Sequence, residues 1–170
     1  ALDLEPQGEV IVRTLRSRVE RALAGVPAGA GPRVLFLMGF RQGAPLAAGA
    51  GTSAQAMIEL AGGANALTGF SGYRPVSPEA LAEARPEVLL VPEHALGGMG
   101  GAPAILSQPG IALTCAGRNR RFVVMDGLYL LGFGPRLGEA VTDLALALRE
   151  PSICTPSALM NHYEHGARGG

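Results

Sequence analysis

The sequence predicts an α/β domain in three layers, with helices on both faces of a mostly parallel sheet and a long helix before it. Three short, continuous apolar runs, residues 33–38, 87–91 and 121–125, are typical of strands buried on both faces. Segments with helical spacing lie between and after these runs, and strands that alternate with helices favour parallel pairing. The 170 residues are 48% hydrophobic and 16% charged, which excludes a disordered chain and suits one folded domain.

The first element is a predicted helix over residues 8–25, in which apolar residues recur every four positions with charged residues between them. Pro27 and the neighbouring glycines end it. We therefore divide the chain into a helix over residues 1–27, an α/β lobe over residues 28–150 and an irregular tail over residues 151–170. The tail lacks periodicity, and we expect it to be loosely held, processed or added.

Capping residues mark the helices of the lobe. After the first strand and a glycine-rich turn, Thr52 or Ser53 is suited to cap a helix that runs through Ala61. Ser77 is a good cap for a second helix, with Pro78 at its first position. The remaining predicted elements are a short strand over residues 65–67, a short helix over residues 104–106 and a final helix over residues 135–149.

Composition excludes several function classes. Lys plus Arg and Asp plus Glu both number 14, so the net charge is zero and no basic block offers a surface for nucleic acid. No apolar run is long enough to span a membrane. Residues 1–10 lack the pattern of a signal peptide, although a mature exported protein would look the same. Cys115 and Cys154 have no metal-ligand spacing, and they are either two buried thiols or a disulfide.

Glycine-rich segments follow the three predicted strands, at the sheet edge where open parallel sheets bind ligands. The glycines either allow tight turns or let the backbone approach a bulky partner. Arg41 lies in the first of these loops. Tyr73 and Arg74 lie in another loop, where a tyrosine can bind iron as phenolate or line an apolar cleft and an arginine can hold a carboxylate. The alternative is a packed tyrosine beside a solvated arginine.

Other chemistry has weaker support. Residues 49–53 only loosely resemble a phosphate-binding loop, so a nucleotide-binding domain or an enzyme remains an alternative. Asp126 is a base or a helix cap, and His94 stands alone in a loop. His162 and His165 are metal ligands or part of a polar tail. Because the sequence has no catalytic constellation, we expect a binding protein rather than an enzyme.

Four segments, in order, carry a family resemblance. They are RVLFLM, GAPLAAGAGTSAQAMIELAGGANAL, GFSGYRPVSPEALAEARPEVLLV and the run that ends in RFVVMDGLYLLGFGPRLGEAV. Together they resemble the C-terminal lobe of haem-binding periplasmic proteins, the substrate-binding components of bacterial haem ABC importers. These proteins are similar to cobalamin and siderophore binders, which gives a cobalamin or iron-siderophore binding protein as a second alternative.

The resemblance implies a periplasmic protein in which haem, the transported ligand, lies between two lobes joined by a long helix. The first helix here resembles that connection, and the first lobe, which commonly supplies an iron-ligating tyrosine, would be missing. Arg41 stands where some members carry a histidine and is expected to meet a propionate or stack on the porphyrin. Tyr73 and Arg74 are expected to line the cleft, and the iron ligand stays undetermined. Glu79 matches a glutamate that docks on the membrane permease.

A single lobe leaves one porphyrin face in water, so we expect weak haem affinity. It also leaves apolar surface exposed, which makes a homodimer through the cleft face plausible.

Overall fold

The computed structural model describes residues 31–149 together with Ser17, Glu20, Arg21 and Ala24. Of the predicted first helix, Ser17, Glu20 and Arg21 are helical, and the amide of Ala24 donates to the carbonyl of Glu20 over 2.8 Å. The rest of that helix lies outside the described residues, as does the tail with Cys154, His162 and His165. The division into helix, lobe and tail therefore stays a prediction.

Residues 31–149 form six strands and eight helices. The strands are β1 Arg33–Arg41, β2 Ala44–Ala48, β3 Ala64–Asn65, β4 Tyr73–Pro75, β5 Val88–Pro92 and β6 Phe122–Met125. The helices are α1 Ser53–Leu60, α2 Pro78–Ala84, α3 Glu93–Gly98, α4 Gly101–Leu106, α5 Pro109–Ala112, α6 Cys115–Arg118, α7 Gly127–Leu131 and α8 Leu137–Leu148.

The sheet has the strand order β4-β2-β1-β5-β6, and β3 pairs with the start of β1. Strands β3, β5 and β6 join the sheet in parallel, whereas β2 and β4 extend it in antiparallel pairs. Strand β1 pairs in parallel with β5 through Phe36 and antiparallel with β2 from Leu37 onward, and a register shift between Leu37 and Gly39 interrupts the antiparallel pairing. The sheet therefore has a parallel centre and an antiparallel extension that ends at the edge strand β4.

Alternate residues of β1 serve two hydrophobic cores. Val34 and Phe36 are fully buried against α1, α7 and α8, which we call the first core. Leu35 and Leu37 are fully buried against the side of α2 to α6, the second core. Because successive strand residues point to opposite faces, a continuous apolar strand supplies both layers. The three-layer fold class is thus confirmed.

The capping predictions are confirmed in detail. The hydroxyl of Thr52 accepts from the amide of Gln55 over 3.1 Å at the start of α1. The hydroxyl of Ser77 accepts from the amide of Ala80 over 3.3 Å at the start of α2. Each hydroxyl satisfies an amide that has no partner within the helix, which is why the helices begin where the sequence predicts.

Two predictions about connecting segments and one about a cysteine are wrong. The glycine-rich turn after the first strand is largely strand, because β1 continues to Arg41 and returns as β2. The glycine-rich segments after the second and third predicted strands, predicted as loops, contain α3 and α7, and α5 and α6 precede β6. Cys115 is disulfide-bonded, so the interpretation of a free thiol at this position is also wrong.

Candidate functional site

The antiparallel extension of the sheet places two predicted site residues on one face. Tyr73 of β4 lies opposite Ala48 of β2, and both belong to the first-core face. Phe40 packs on the second core, so alternation puts the exposed Arg41 on the face of Tyr73. Arg41 pairs with Ala44, four residues from Ala48, so the two side chains start roughly 14 Å apart along the strands. We call this surface the Arg41–Tyr73 face.

Tyr73 is half-buried, and its ring packs against the first core. The ring meets Phe36 edge to face, with centroids 6.2 Å apart and planes at 60°. Such aromatic pairs contribute about 0.5–1.5 kcal/mol beyond the buried area. Within the described part of the chain, the phenol hydroxyl has no hydrogen-bond partner. The side chain therefore presents a fixed phenol that is available to a ligand.

Arg74 leaves the same strand on the opposite face. It lies opposite Ala47, a second-core residue, and its guanidinium carbon stands 5.9 Å from the ring centre of Phe70. Because β4 is an edge strand, one ligand touches both Tyr73 and Arg74 only by wrapping around that edge. The structure brings Arg41 and Tyr73 to a common face and does not bring Arg74 there.

The carboxyl ends of β5 and β6 meet beside the Arg41–Tyr73 face. Pro92 pairs with Met125, so the residues that follow each strand come together. His94 is exposed at the start of α3, and a β-carbon added to Gly127 would lie 2.5 Å from its Cε1 atom. Glycine at position 127 therefore lets the imidazole rest on the backbone of α7.

Leu128 is the apolar side chain at this edge that the sequence analysis missed. It is 84% exposed at the second position of α7, beside the buried Gly127. A leucine exposed at the carboxyl edge of a parallel sheet is suited to an apolar ligand. In the sequence, nothing distinguishes it from the buried Leu130 two positions later, because both stand in the apolar run GLYLL.

The amides of residues 49–51 are not free to bind a phosphate. The amides of Gly49 and Ala50 donate to the carbonyls of Gly72 and Phe70 over 2.8 and 2.7 Å. The amide of Gly51 donates to the side-chain oxygen of Gln55 over 2.7 Å. Because these donors are already paired, the geometry does not favour the nucleotide-binding alternative.

Asp126 is a helix cap in this structure. Its carboxylate accepts from the amide of Tyr129 over 2.7 Å. The hydroxyl of Tyr129 donates to the carboxylate of Asp143 over 2.7 Å, and Arg136 lies 4.6 Å above the ring. Burial and then the Asp143 carboxylate raise the pKa of Tyr129 to about 12. This cluster ties α7 to α8 and thereby holds Leu128 in place.

Glu79 is exposed in the first turn of α2. Hydrogen bonds from its own backbone amide and from the Ser77 hydroxyl lower the pKa of its carboxyl group. The side chain is therefore a carboxylate at neutral pH, open to a cationic partner.

Two features are absent from the described residues. No group of three or more histidine, cysteine, aspartate and glutamate side chains there is placed to hold a metal ion. None of the helices described is both long and apolar enough to cross a bilayer.

The fold, with loops and helices at the carboxyl edge of its parallel strands, is that of a known class of protein. A model of the periplasmic binding protein family matches residues 1–129, well over half of the chain, and the chain belongs to this family. No curated protein sequence matches it.

Among solved structures, the chain is similar to the periplasmic haem-binding protein BhuT in complex with two haems, at 42% identity and a TM-score of 0.76. The match covers 87% of this chain and 59% of BhuT. The haem-binding protein RhuT of Roseiflexus sp. RS-1, without ligand, is 40% identical with a TM-score of 0.78, over 87% and 57% of the two chains. HutB of Vibrio cholerae, also a haem-binding protein, is 28% identical with a TM-score of 0.75, over 86% and 58%. The chain thus spans less than three-fifths of the length of these relatives.

Proposed function

We propose that this chain is a haem-binding lobe of a bacterial haem import system, with haem as the transported ligand. The observation that carries the proposal is the 42% identity to BhuT, a protein whose structure contains two haems. The Arg41–Tyr73 face and the exposed Leu128 supply the kinds of group that such a ligand needs. Porphyrin affinity comes mainly from burial of its apolar faces, and a few polar groups orient it.

Each contact on this face has a distinct role in the proposal. The guanidinium of Arg41 pairs with a propionate, the part of haem that is anionic. The phenol of Tyr73 faces the porphyrin or ligates its iron as phenolate. Leu128 contributes apolar contact. Arg74, on the other face of β4, is left outside this set.

The proposal also covers delivery. Glu79 offers a carboxylate that would pair with an arginine of a membrane permease, and it lies on α2, in the second-core layer. That layer covers the sheet face opposite the Arg41–Tyr73 face, so one lobe has room for both contacts. The disulfide at Cys115 agrees with a periplasmic location, because disulfides persist in oxidising compartments.

A haem titration tests the proposal. We expect the Soret band to shift saturably as haem is added to the chain, with weak affinity because a single lobe covers one face of the porphyrin. A protein without affinity for porphyrins, such as lysozyme, is the control for adsorption. A linear change without saturation would contradict haem binding.

Competition separates haem from the alternative cargoes. Cobalamin and a ferric siderophore, each added to the haem complex, should leave the Soret band unchanged. Displacement of haem by either ligand would favour that ligand instead.

We also propose a homodimer through the Arg41–Tyr73 face, which the exposure of Leu128 beside this face supports. Sedimentation with and without haem tests it, since haem would compete with the second copy for the same face. A monomer in both conditions would contradict the dimer.

A further inference from the structure

A groove lies on the second-core side of the molecule, away from the Arg41–Tyr73 face. It encloses about 460 Å³ between α4, α5, α6 and the start of β6. This volume falls within the usual range of small-molecule sites. Leu106 and Phe122 of the groove pack on the second core, whereas Tyr73 packs on the first. The groove is therefore separate from the surface proposed for haem.

The lining of the groove is mostly apolar. Its walls consist of Ala102, Pro103, Leu106, Ser107, Ala112, Gly117, Arg120 and Phe122. The hydroxyl of Ser107 donates to the carbonyl of Pro103 over 2.7 Å, so this donor is already paired at the end of α4. Arg120 is the charged residue of the lining.

Arg120 brings a positive charge without a partner to this groove. The residue is exposed, and its guanidinium forms no hydrogen bond or ion pair with the residues that the structure describes. A guanidinium fork matches the two oxygens of a carboxylate. A single cation beside apolar walls is therefore complementary to a ligand that joins one anionic group to an apolar body.

The backbone at position 120 favours glycine over arginine. Arg120 has φ +52°, in the left-handed region. It follows the end of α6, where its amide donates to the carbonyl of Gly117 over 3.2 Å. Glycine is the usual residue at such a helix end, and a residue with a β-carbon costs free energy there. Because an arginine lowers stability at this position, its presence favours a role in binding.

We propose that the groove binds a free carboxylate with an unbranched alkyl chain, such as a fatty acid of medium length. The carboxylate pairs with Arg120, and the alkyl chain lies against the walls formed by Leu106 and Phe122. One guanidinium balances one negative charge, which favours a carboxylate over a phosphate that carries close to two. The 460 Å³ hold about 15 groups of the size of water, which is room for an eight-carbon carboxylate.

A titration of the full chain with octanoate, followed by the NMR shifts of its amides, tests the proposal. The shifts should saturate and should be confined to residues 102–122. Octan-1-ol has the alkyl chain without the charge, and acetate has the charge without the chain. Each should bind at least about tenfold more weakly than octanoate. Absence of saturable shifts in residues 102–122, or equal binding of either analogue, would overturn the proposal.

Arg120→Gly separates binding from folding. It removes the guanidinium and the left-handed strain together, so we expect it to weaken octanoate binding about tenfold and to raise the midpoint of thermal unfolding. Arg118→Ala is the matched control, because Arg118 is also exposed near the end of α6 but does not line the groove. It should change octanoate binding by less than about twofold. Equal losses in the two variants would overturn the assignment of the carboxylate to Arg120.

Arg41→Ala distinguishes the groove from the proposed haem surface. This variant should bind octanoate as the unaltered chain does, and Arg120→Gly should leave the haem titration unchanged. Loss of octanoate binding in Arg41→Ala, with none in Arg120→Gly, would place the carboxylate on the Arg41–Tyr73 face and overturn the proposal. Because octanoate binding is measured without haem, failure of the chain to bind haem would not alter this test.

Discussion

Asn65 shows how one buried polar side chain fixes the geometry of the site. It is 6% exposed, and its amide nitrogen lies within hydrogen-bond distance of the carbonyls of Ala48, Gly49 and Leu67, at 3.2, 3.3 and 2.9 Å. The carbonyls of Ala48 and Gly49 lie at the end of β2 and directly after it, where Ala48 pairs with Tyr73. Asn65 therefore holds the strand on which the Arg41–Tyr73 face is built.

Asn65→Ala should lower the free energy of unfolding by about 2–3 kcal/mol, because it leaves buried carbonyls without donors. Urea unfolding followed by circular dichroism measures the change. Glu83→Ala, at an exposed position on α2, is the control and should change stability by less than about 0.5 kcal/mol. A loss in Asn65→Ala no larger than in the control would contradict the role given to this side chain.

Tyr129 should ionise at higher pH than an ordinary tyrosine. Its pKa is raised from 10.0 to about 12, first by burial and then by the Asp143 carboxylate. Since the folded-state pKa is the higher one, the stabilisation is complete below pH 10 and is lost as the pH rises through about 12. Ultraviolet absorbance should show one tyrosine that ionises late, and Tyr129→Phe should remove that step.

Asp143→Asn is the companion variant for this titration. It removes the carboxylate charge and should lower the pH at which Tyr129 ionises. If Tyr129→Phe removed no ionisation step near pH 12, the link between α7 and α8 through Tyr129 would be contradicted.

At the scale of elements, the hairpin of β1 and β2 builds the site, and its turn has an unusual backbone. Gln42 has φ +53° and Gly43 has φ +81°, so both turn residues are left-handed. That conformation suits hairpins because its twist matches that of the strands, but it strains residues other than glycine. The sequence analysis did not pick out this Gln-Gly turn, because it lies within a longer glycine-rich segment.

Gln42→Gly should raise the free energy of unfolding by up to about 1 kcal/mol, because it relieves this strain at the tip of the hairpin. Thermal unfolding measures the gain. Gln108→Gly is the matched control, since Gln108 has φ −61° and gains nothing from glycine. A gain of equal size in the control, or a loss in Gln42→Gly, would contradict the left-handed turn.

Only some of the strands and helices could be predicted from the sequence. The buried strands and the helices capped by Thr52 and Ser77 were predictable, because their signals are local: continuous apolar runs and hydroxyls before a helix. The antiparallel extension was not, because β2 is built from alanine, proline and leucine, which have no clear strand preference. Its strand conformation depends on pairing with β1 and β4, which is tertiary.

The candidate site was predictable only in part. Arg41, Tyr73 and Arg74 were picked from their loops, but which of them share a face depends on the register of β4 against β2. Neighbouring strand residues such as Tyr73 and Arg74 lie on opposite faces in any register, but a shift of one residue would exchange them. The sequence alone therefore cannot tell which of the two shares a face with Arg41. Leu128 was missed because exposure at the start of α7 is set by the packing of the helices around it.

At the scale of the whole molecule, the two faces of the sheet carry different proposed contacts. The Arg41–Tyr73 face, at the antiparallel edge, is the surface proposed to contact haem. The second-core side carries Glu79. The Arg41–Tyr73 face and Glu79 lie on different layers. We therefore predict that substitutions on the Arg41–Tyr73 face leave the proposed permease contact of Glu79 unchanged, and that substitution of Glu79 leaves haem binding unchanged.

Haem titrations of three single variants test the central claim most directly. Arg41→Ala and Tyr73→Phe should each raise the Kd for haem about tenfold, as expected when a charged or iron-directed contact is lost. Arg74→Ala, on the other face, should change the Kd by less than about twofold. If Arg74→Ala weakened haem binding as much as Tyr73→Phe did, or if neither variant on the shared face had an effect, the proposed haem surface would be contradicted.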